Sequence, residues 1–169
     1  MMRLEALNAL SAEEAARAFE RCCGARAWVQ AMVNERPFPD AAALYAAADR
    51  LWAKLSPQDW KEAFLHHPRI GDLASLKAKY ANTMQWAEGE QSGATGASEE
   101  VLRALAEGNR EYEAKFGYIF IVCATGKTAI EMLELLKERL PHDRDREIGI
   151  AAEEQRNITR LRLEKLVTL

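Results

Sequence analysis

Only one stretch of this chain reads as a β-strand, and it has nothing to pair with. Residues 118–123, Tyr-Ile-Phe-Ile-Val-Cys, are rich in β-branched and aromatic side chains. A lone strand leaves its backbone groups unsatisfied and is not stable. The run therefore reads as a buried extended or helical segment, and the rest of the chain must build its core from helices. The start and stop signals agree. Ser11 and Glu14 have the spacing of a capping box, so a helix should open there and stop at Gly24. Residues 26–35 carry Trp28, Met32 and Val33 at helical spacing, until Arg36-Pro37-Phe38-Pro39 breaks the pattern. Asp40 can cap a helix over 41–54. Ser56-Pro57 opens another that runs through Trp60, Phe64 and Leu65 to His66-His67, where Pro68 stops it.

Residues 87–98 hold three glycines among small polar residues and read as a loop, or a loop opening into a helix. Ser98-Glu99-Glu100 should start a helix of about 18 residues that ends near Gly117. Thr128 begins one that closes before Pro141, and the last helix covers 144–166. No internal repeat is present. The expected fold is all-α: a single compact helical domain over residues 1–169, with about seven to nine helices.

Composition excludes several classes of function. The chain has 23 Lys+Arg against 26 Asp+Glu, a net charge of -3, and its bases are dispersed among acids. A nucleic-acid binder needs clustered bases to displace counterions from phosphates. No apolar run nears the ~20 residues that span a bilayer. The start, Met1-Met2-Arg3-Leu4-Glu5, lacks a long apolar core, and Val167-Thr168-Leu169 is not a Ser-Lys-Leu address. Three cysteines with no zinc-module spacing fit a reducing, cytoplasmic setting, with Cys123 read as a small buried hydrophobe rather than a nucleophile.

The most unusual local sequence is His67-Pro68-Arg69-Ile70-Gly71-Asp72. Histidine titrates near neutrality, and one held at a helix end before proline is placed as an acid/base should be. The competing structural role is capping of the helix's last carbonyls, open equally to His66. His142, after Pro141, reads as a surface residue. Glu90-Gln91 pairs a carboxylate with an amide, a set that can read a ring bearing both N–H and C=O; a solvated loop is the plainer reading. Arg160 and Arg162 on the last helix can each grip a carboxylate, or simply pair with neighbours such as Glu164. A metal site from His66, His67 and Glu90 is disfavoured, because adjacent histidines do not share a helix face.

Taken together, these residues resemble the OHCU decarboxylases of urate degradation, which act on 2-oxo-4-hydroxy-4-carboxy-5-ureidoimidazoline. The resemblance covers nearly the whole chain. It rests on Arg36-Pro37-Phe38, residues 67–72 and Glu90-Gln91-Ser92-Gly93. It continues through Asn109-x-x-Tyr112-x-x-Lys115-Phe116-Gly117 into 118–124, and ends with Ala151-Ala152-Glu153-Glu154-Gln155 and Ile158-Thr159-Arg160-Leu161-Arg162-Leu163. It implies an all-helical homodimer that needs no cofactor and no metal, with a small ureidoimidazoline as substrate, (S)-allantoin as product, and neither nucleic acid nor membrane as partner. It places the catalytic histidine at His67, with Pro68 beside it in the substrate site. It puts the substrate-contacting loop at Ala87, Glu88, Gly89, Glu90 and Gln91. A backbone-contacting segment falls on Phe120, Ile121, Val122, Cys123 and Ala124, and the substrate arginine on Arg162 rather than Arg160. The expected site is a small closed chamber in which His67 faces Glu90, Gln91 and Arg162. A non-catalytic helical interaction module and a hydrolase of a related ureide are the competing functions.

Overall fold

A computed structural model describes residues 1–69, 73–80 and 94–168, except for the side chains of 79 and 94–98. Among them are nine helices and one two-residue strand pair, so the protein is all-α as expected. The order is β1 (Met2–Arg3), α1 (Leu4–Ala9), α2 (Ala12–Glu20), α3 (Arg26–Glu35), α4 (Ala41–Ala53), α5 (Pro57–Leu65), α6 (Leu73–Lys79), α7 (Ala94–Phe116), α8 (Ala129–Arg139), α9 (Arg144–Leu166) and β2 (Val167–Thr168). The chain falls into two compact units. The first is Met1–His67 with Ile121–Cys123 and Ile148–Leu169; the second is Pro68–Phe120 with Ala124–Glu147.

Local chemistry explains most boundaries. Ser11 Oγ accepts from the Glu14 amide at 3.1 Å, and the Glu14 carboxylate accepts from the Ser11 amide at 3.2 Å. Ser56 and Asp59 make the same reciprocal box, with Pro57 at the first helical position. Asp40 and Thr128 cap α4 and α8 by accepting from Ala43 and Glu131. Each such cap stabilises its helix by about 1 kcal/mol. At the other end of α7, Gly117 takes φ +83°, which closes the helix without a Cβ clash.

Several expectations need correction. Helix α2 stops at Glu20, before Gly24, because the amides of Cys22 and Cys23 both turn back onto the Phe19 carbonyl. Gly24 serves a different purpose: a Cβ there would lie 2.2 Å from Cγ of His66. Helix α7 begins at Ala94, ahead of Ser98. Residues 119–124 are irregular chain and belong to neither helix nor ladder. The sequence reading missed α1, α6 and the parallel pairing of Met2–Arg3 with Val167–Thr168. Those elements are too short for a periodicity to show.

The first unit is tied through tryptophans and one arginine. The indoles of Trp28 and Trp52 donate to the carbonyls of Ala48 and Ala152 at 3.1 and 3.0 Å, which fixes α3 and α9 against α4. Arg36 donates to the carbonyls of Leu7 and Leu10 at 2.9 and 2.8 Å and so closes the end of α1. The Asn8 amide exchanges two bonds with the backbone of Phe38. The Arg-Pro-Phe motif is thus a clamp on the N-terminal helix.

In the second unit α7 and α8 touch at Gly108, where an added Cβ would lie 2.5 Å from Leu136 Cδ2. Its interior holds four aromatic rings, Tyr112, Phe116, Tyr118 and Phe120, and a buried ionic cluster. The Glu147 carboxylate accepts from the Tyr112 hydroxyl and from Arg139 Nε, each at 2.6 Å, and faces His142 Nδ1 at 3.0 Å. His142 is therefore a half-buried member of this cluster rather than a surface residue. Burial, reinforced by the Glu147 carboxylate, pushes the Tyr112 phenol far above its ordinary range, so it stays a donor. Lys115 closes the α8 end by donating to the carbonyls of Leu140 and His142. The Asn-x-x-Tyr-x-x-Lys-Phe-Gly motif therefore builds this unit.

Candidate active site

The helix α5 delivers His67 as expected. Pro57 and the Ser56 box start the helix, its interior buries Ala63 and Phe64, and the His67 amide still bonds the Phe64 carbonyl at 3.3 Å. Its imidazole does not cap that helix. Nε2 lies 2.5 Å from Oε1 of Gln155, a side chain with no exposed surface. Gln155 Nε2 donates in turn to Thr159 Oγ1 at 3.0 Å, one helical turn further along α9. Desolvation lowers the His67 pKa below its ordinary value; the Gln155 bond opposes this, and the charges of Arg162 and His66 add to it. Burial therefore favours the neutral ring, the form that can accept a proton.

Arg162 donates weakly to the Cys22 carbonyl at 3.5 Å. Arg160 has a different role: it pairs with Glu164 at 2.9 Å and covers the Tyr45 ring 3.8 Å from its centroid. Ile121, Val122 and Cys123 belong to the same compact unit as His67 and Arg162. Pro68, Phe120 and Ala124 belong to the other, where the Phe120 ring packs on Tyr112 and under Arg139 at 4.5 Å. The loop residues Ala87, Glu88, Gly89, Glu90 and Gln91 lie outside the described residues. Among the described residues no three His, Cys, Asp or Glu side chains come together as metal ligands.

Gln155 and Thr159 escaped the sequence reading as site residues. A signal was there: Ala151, Ala152, Gln155, Thr159 and Leu163 follow helical spacing and are all buried. A glutamine in such a stripe must have a specific partner, since burying an unpaired amide is costly.

The neighbouring thiols are inert. Burial pushes Cys22 and Cys23 up to about 11 each, with Arg162 only partly opposing. At pH 8 roughly a thousandth of either thiol is ionised, and only thiolate alkylates readily. Iodoacetamide at pH 8 should add at most one group to the native protein, at the half-buried Cys123, and three after denaturation. Intact mass spectrometry checks this; two rapid additions to the native chain would contradict it.

A family model described as OHCU decarboxylase matches residues 8–164. The chain belongs to the OHCU decarboxylase family. It is 40% identical over 147 residues to the uric acid degradation bifunctional protein TTL of Arabidopsis thaliana, covering 86% of this chain and 45% of that one. It is 29% identical over 174 residues to the 2-oxo-4-hydroxy-4-carboxy-5-ureidoimidazoline decarboxylase of Amia calva, covering 98% and 95%. Among solved structures it is similar to an OHCU decarboxylase crystallised in the presence of (S)-allantoin, with 36% identity, a TM-score of 0.68, and 88% and 95% of the two chains covered. The chain spans less than half the length of the bifunctional relative. As an OHCU decarboxylase family member its fold accords with that structure, and none of its described helices is long and apolar enough to cross a membrane.

Proposed function

We propose that this chain decarboxylates 2-oxo-4-hydroxy-4-carboxy-5-ureidoimidazoline to (S)-allantoin in urate degradation, with His67 as general acid/base. Membership of the OHCU decarboxylase family over residues 8–164 carries the reading. The neutral, anchored imidazole supports it.

Loss of CO2 leaves an electron pair on the ring carbon, and the adjacent C=N bond can take it up, so the chemistry does not require a cofactor as electron sink. The hydroxyl on that carbon becomes a carbonyl as its proton leaves. A proton arrives at the ureido-bearing carbon, and the nitrogen that received the electrons takes the one proton consumed overall. A neutral His67 can accept the hydroxyl proton and return it to one face of the ring, which accounts for a single enantiomer. The protein must hold the carboxylate so that its breaking bond overlaps the C=N system. Arg162 would anchor a polar arm of the substrate. Ala87 to Gln91 would form the substrate loop, with Glu90 and Gln91 binding ring or ureido N–H and C=O groups. Backbone amides of Phe120 to Ala124 would bind a carbonyl oxygen, with Pro68 bracing the site. The family match extends across both compact units, which favours residues 1–169 working as one decarboxylase domain, assembled as a homodimer in a reducing cytoplasm.

Freshly generated substrate followed by circular dichroism tests the proposal. Added protein should speed the appearance of the optically active product, and a chelator should not slow it. Product forming at the uncatalysed rate would refute the reading. Release of ammonia or urea in place of CO2 would mark a ureide hydrolase instead.

A further inference from the structure

We propose that Gln155, braced by Thr159, is a positioning residue that holds His67 in its Nε2–H tautomer, making Nδ1 the nitrogen that exchanges the proton with substrate. This deepens the reading of His67 as acid/base and rests on it.

The direction of the hydrogen bonds carries the argument. An amide oxygen has only lone pairs, so a neutral imidazole 2.5 Å away must donate to it from Nε2. A flipped amide would reverse both of its bonds, setting Nε2 against the ring and Oε1 against Thr159. Gln155 Nε2 donates to Thr159 Oγ1 at 3.0 Å. Both ends of the amide are thus engaged, the oxygen by the His67 ring and the nitrogen by Thr159 Oγ1. All three side chains lie in the first compact unit, and Gln155 has no exposed surface on which to find another partner.

The choice of an amide also matters. A carboxylate at this position would favour the imidazolium. A neutral amide sets tautomer and orientation while leaving the ring uncharged. The other groups facing His67 act in the same sense: Arg162 from α9 and His66 from its own element both disfavour a second positive charge.

The test starts with histidine-15N-labelled protein above pH 7, with the His67 signals assigned by their loss in His67→Asn. The expected pattern is a protonated Nε2 and a pyridine-type Nδ1. In Gln155→Leu both tautomers should appear, and kcat should fall roughly 10–100-fold with KM little changed, the range seen when a histidine loses the group that orients it. Gln155→Glu should restore the tautomer and move the acid limb of the kcat/KM profile upward by about 1–3 pH units. An Nδ1–H pattern in the unaltered protein overturns the assignment. So does a Gln155→Leu variant with unchanged tautomer, kcat and pH profile. Full activity in His67→Asn would instead overturn the acid/base reading, whatever the tautomer.

Discussion

Replacing His67 with Asn should remove most turnover while the protein still folds. Loss of a positioned acid/base typically costs about 10²–10⁴-fold in rate. The fold should survive because the ring is only half-buried and its one described side-chain bond runs to Gln155. Asparagine retains an N–H donor near that amide, so the stability loss should be about 1 kcal/mol. Steady-state kinetics with fresh substrate, beside a melting curve, checks both halves. A well-folded variant with near-full activity would remove His67 from the mechanism.

The same variant has a signature in pH. The folded-state pKa of His67 lies below that of the unfolded chain, ordinarily near 6.5. Below that value the unfolded state binds a proton that the folded state refuses, so stability falls as pH falls. At higher pH neither state is protonated and the contribution vanishes. His67→Asn removes this acid-sensitive contribution. Its melting temperature relative to the unaltered protein should therefore improve between pH 7.5 and 5.5. A difference constant across that window would show that the ring is not desolvated.

The largest effect on stability should come from Glu147→Ala. This carboxylate has no exposed surface and receives Tyr112, Arg139 and His142 together. Removing it leaves the Arg139 charge buried with this counter-ion gone and strips the Tyr112 hydroxyl of its acceptor. Breaking a buried ion pair from one side costs about 3–5 kcal/mol. Against a usual total of about 5–15 kcal/mol that is a large share. In a chain of this size the melting temperature should drop by roughly 6–20 °C. Glu147→Gln keeps the shape and one acceptor oxygen and should lose clearly less. Calorimetry on both variants decides it: a loss under about 1 kcal/mol for Glu147→Ala would mean the cluster contributes little beyond packing.

The two buried polar groups, Glu147 and Gln155, also show where sequence reasoning stopped. Each sits in a helix that the sequence places well. The partners of neither are visible along the chain. Tyr112 and Glu147 are 35 residues apart, and His67 and Gln155 are 88 apart. The resemblance quoted Tyr112 and Gln155 as motif residues without a role; the fold supplies one for each. Gly24 makes the same point. It reads as a helix stop, but its lack of a Cβ matters because the His66 ring lies against it.

What the sequence determined alone was local or compositional: the all-α class, the capping boxes at Ser11 and Ser56, the break at Arg36-Pro37, and delivery of His67 to a helix end. These depend on groups within about one helical turn, whose energies do not wait for the rest of the chain. Tertiary structure decided which nitrogen of the His67 ring is engaged and which carboxylate is sealed inside. Those outcomes are set by desolvation and by contacts between distant segments, and no such contact exists until the chain has folded.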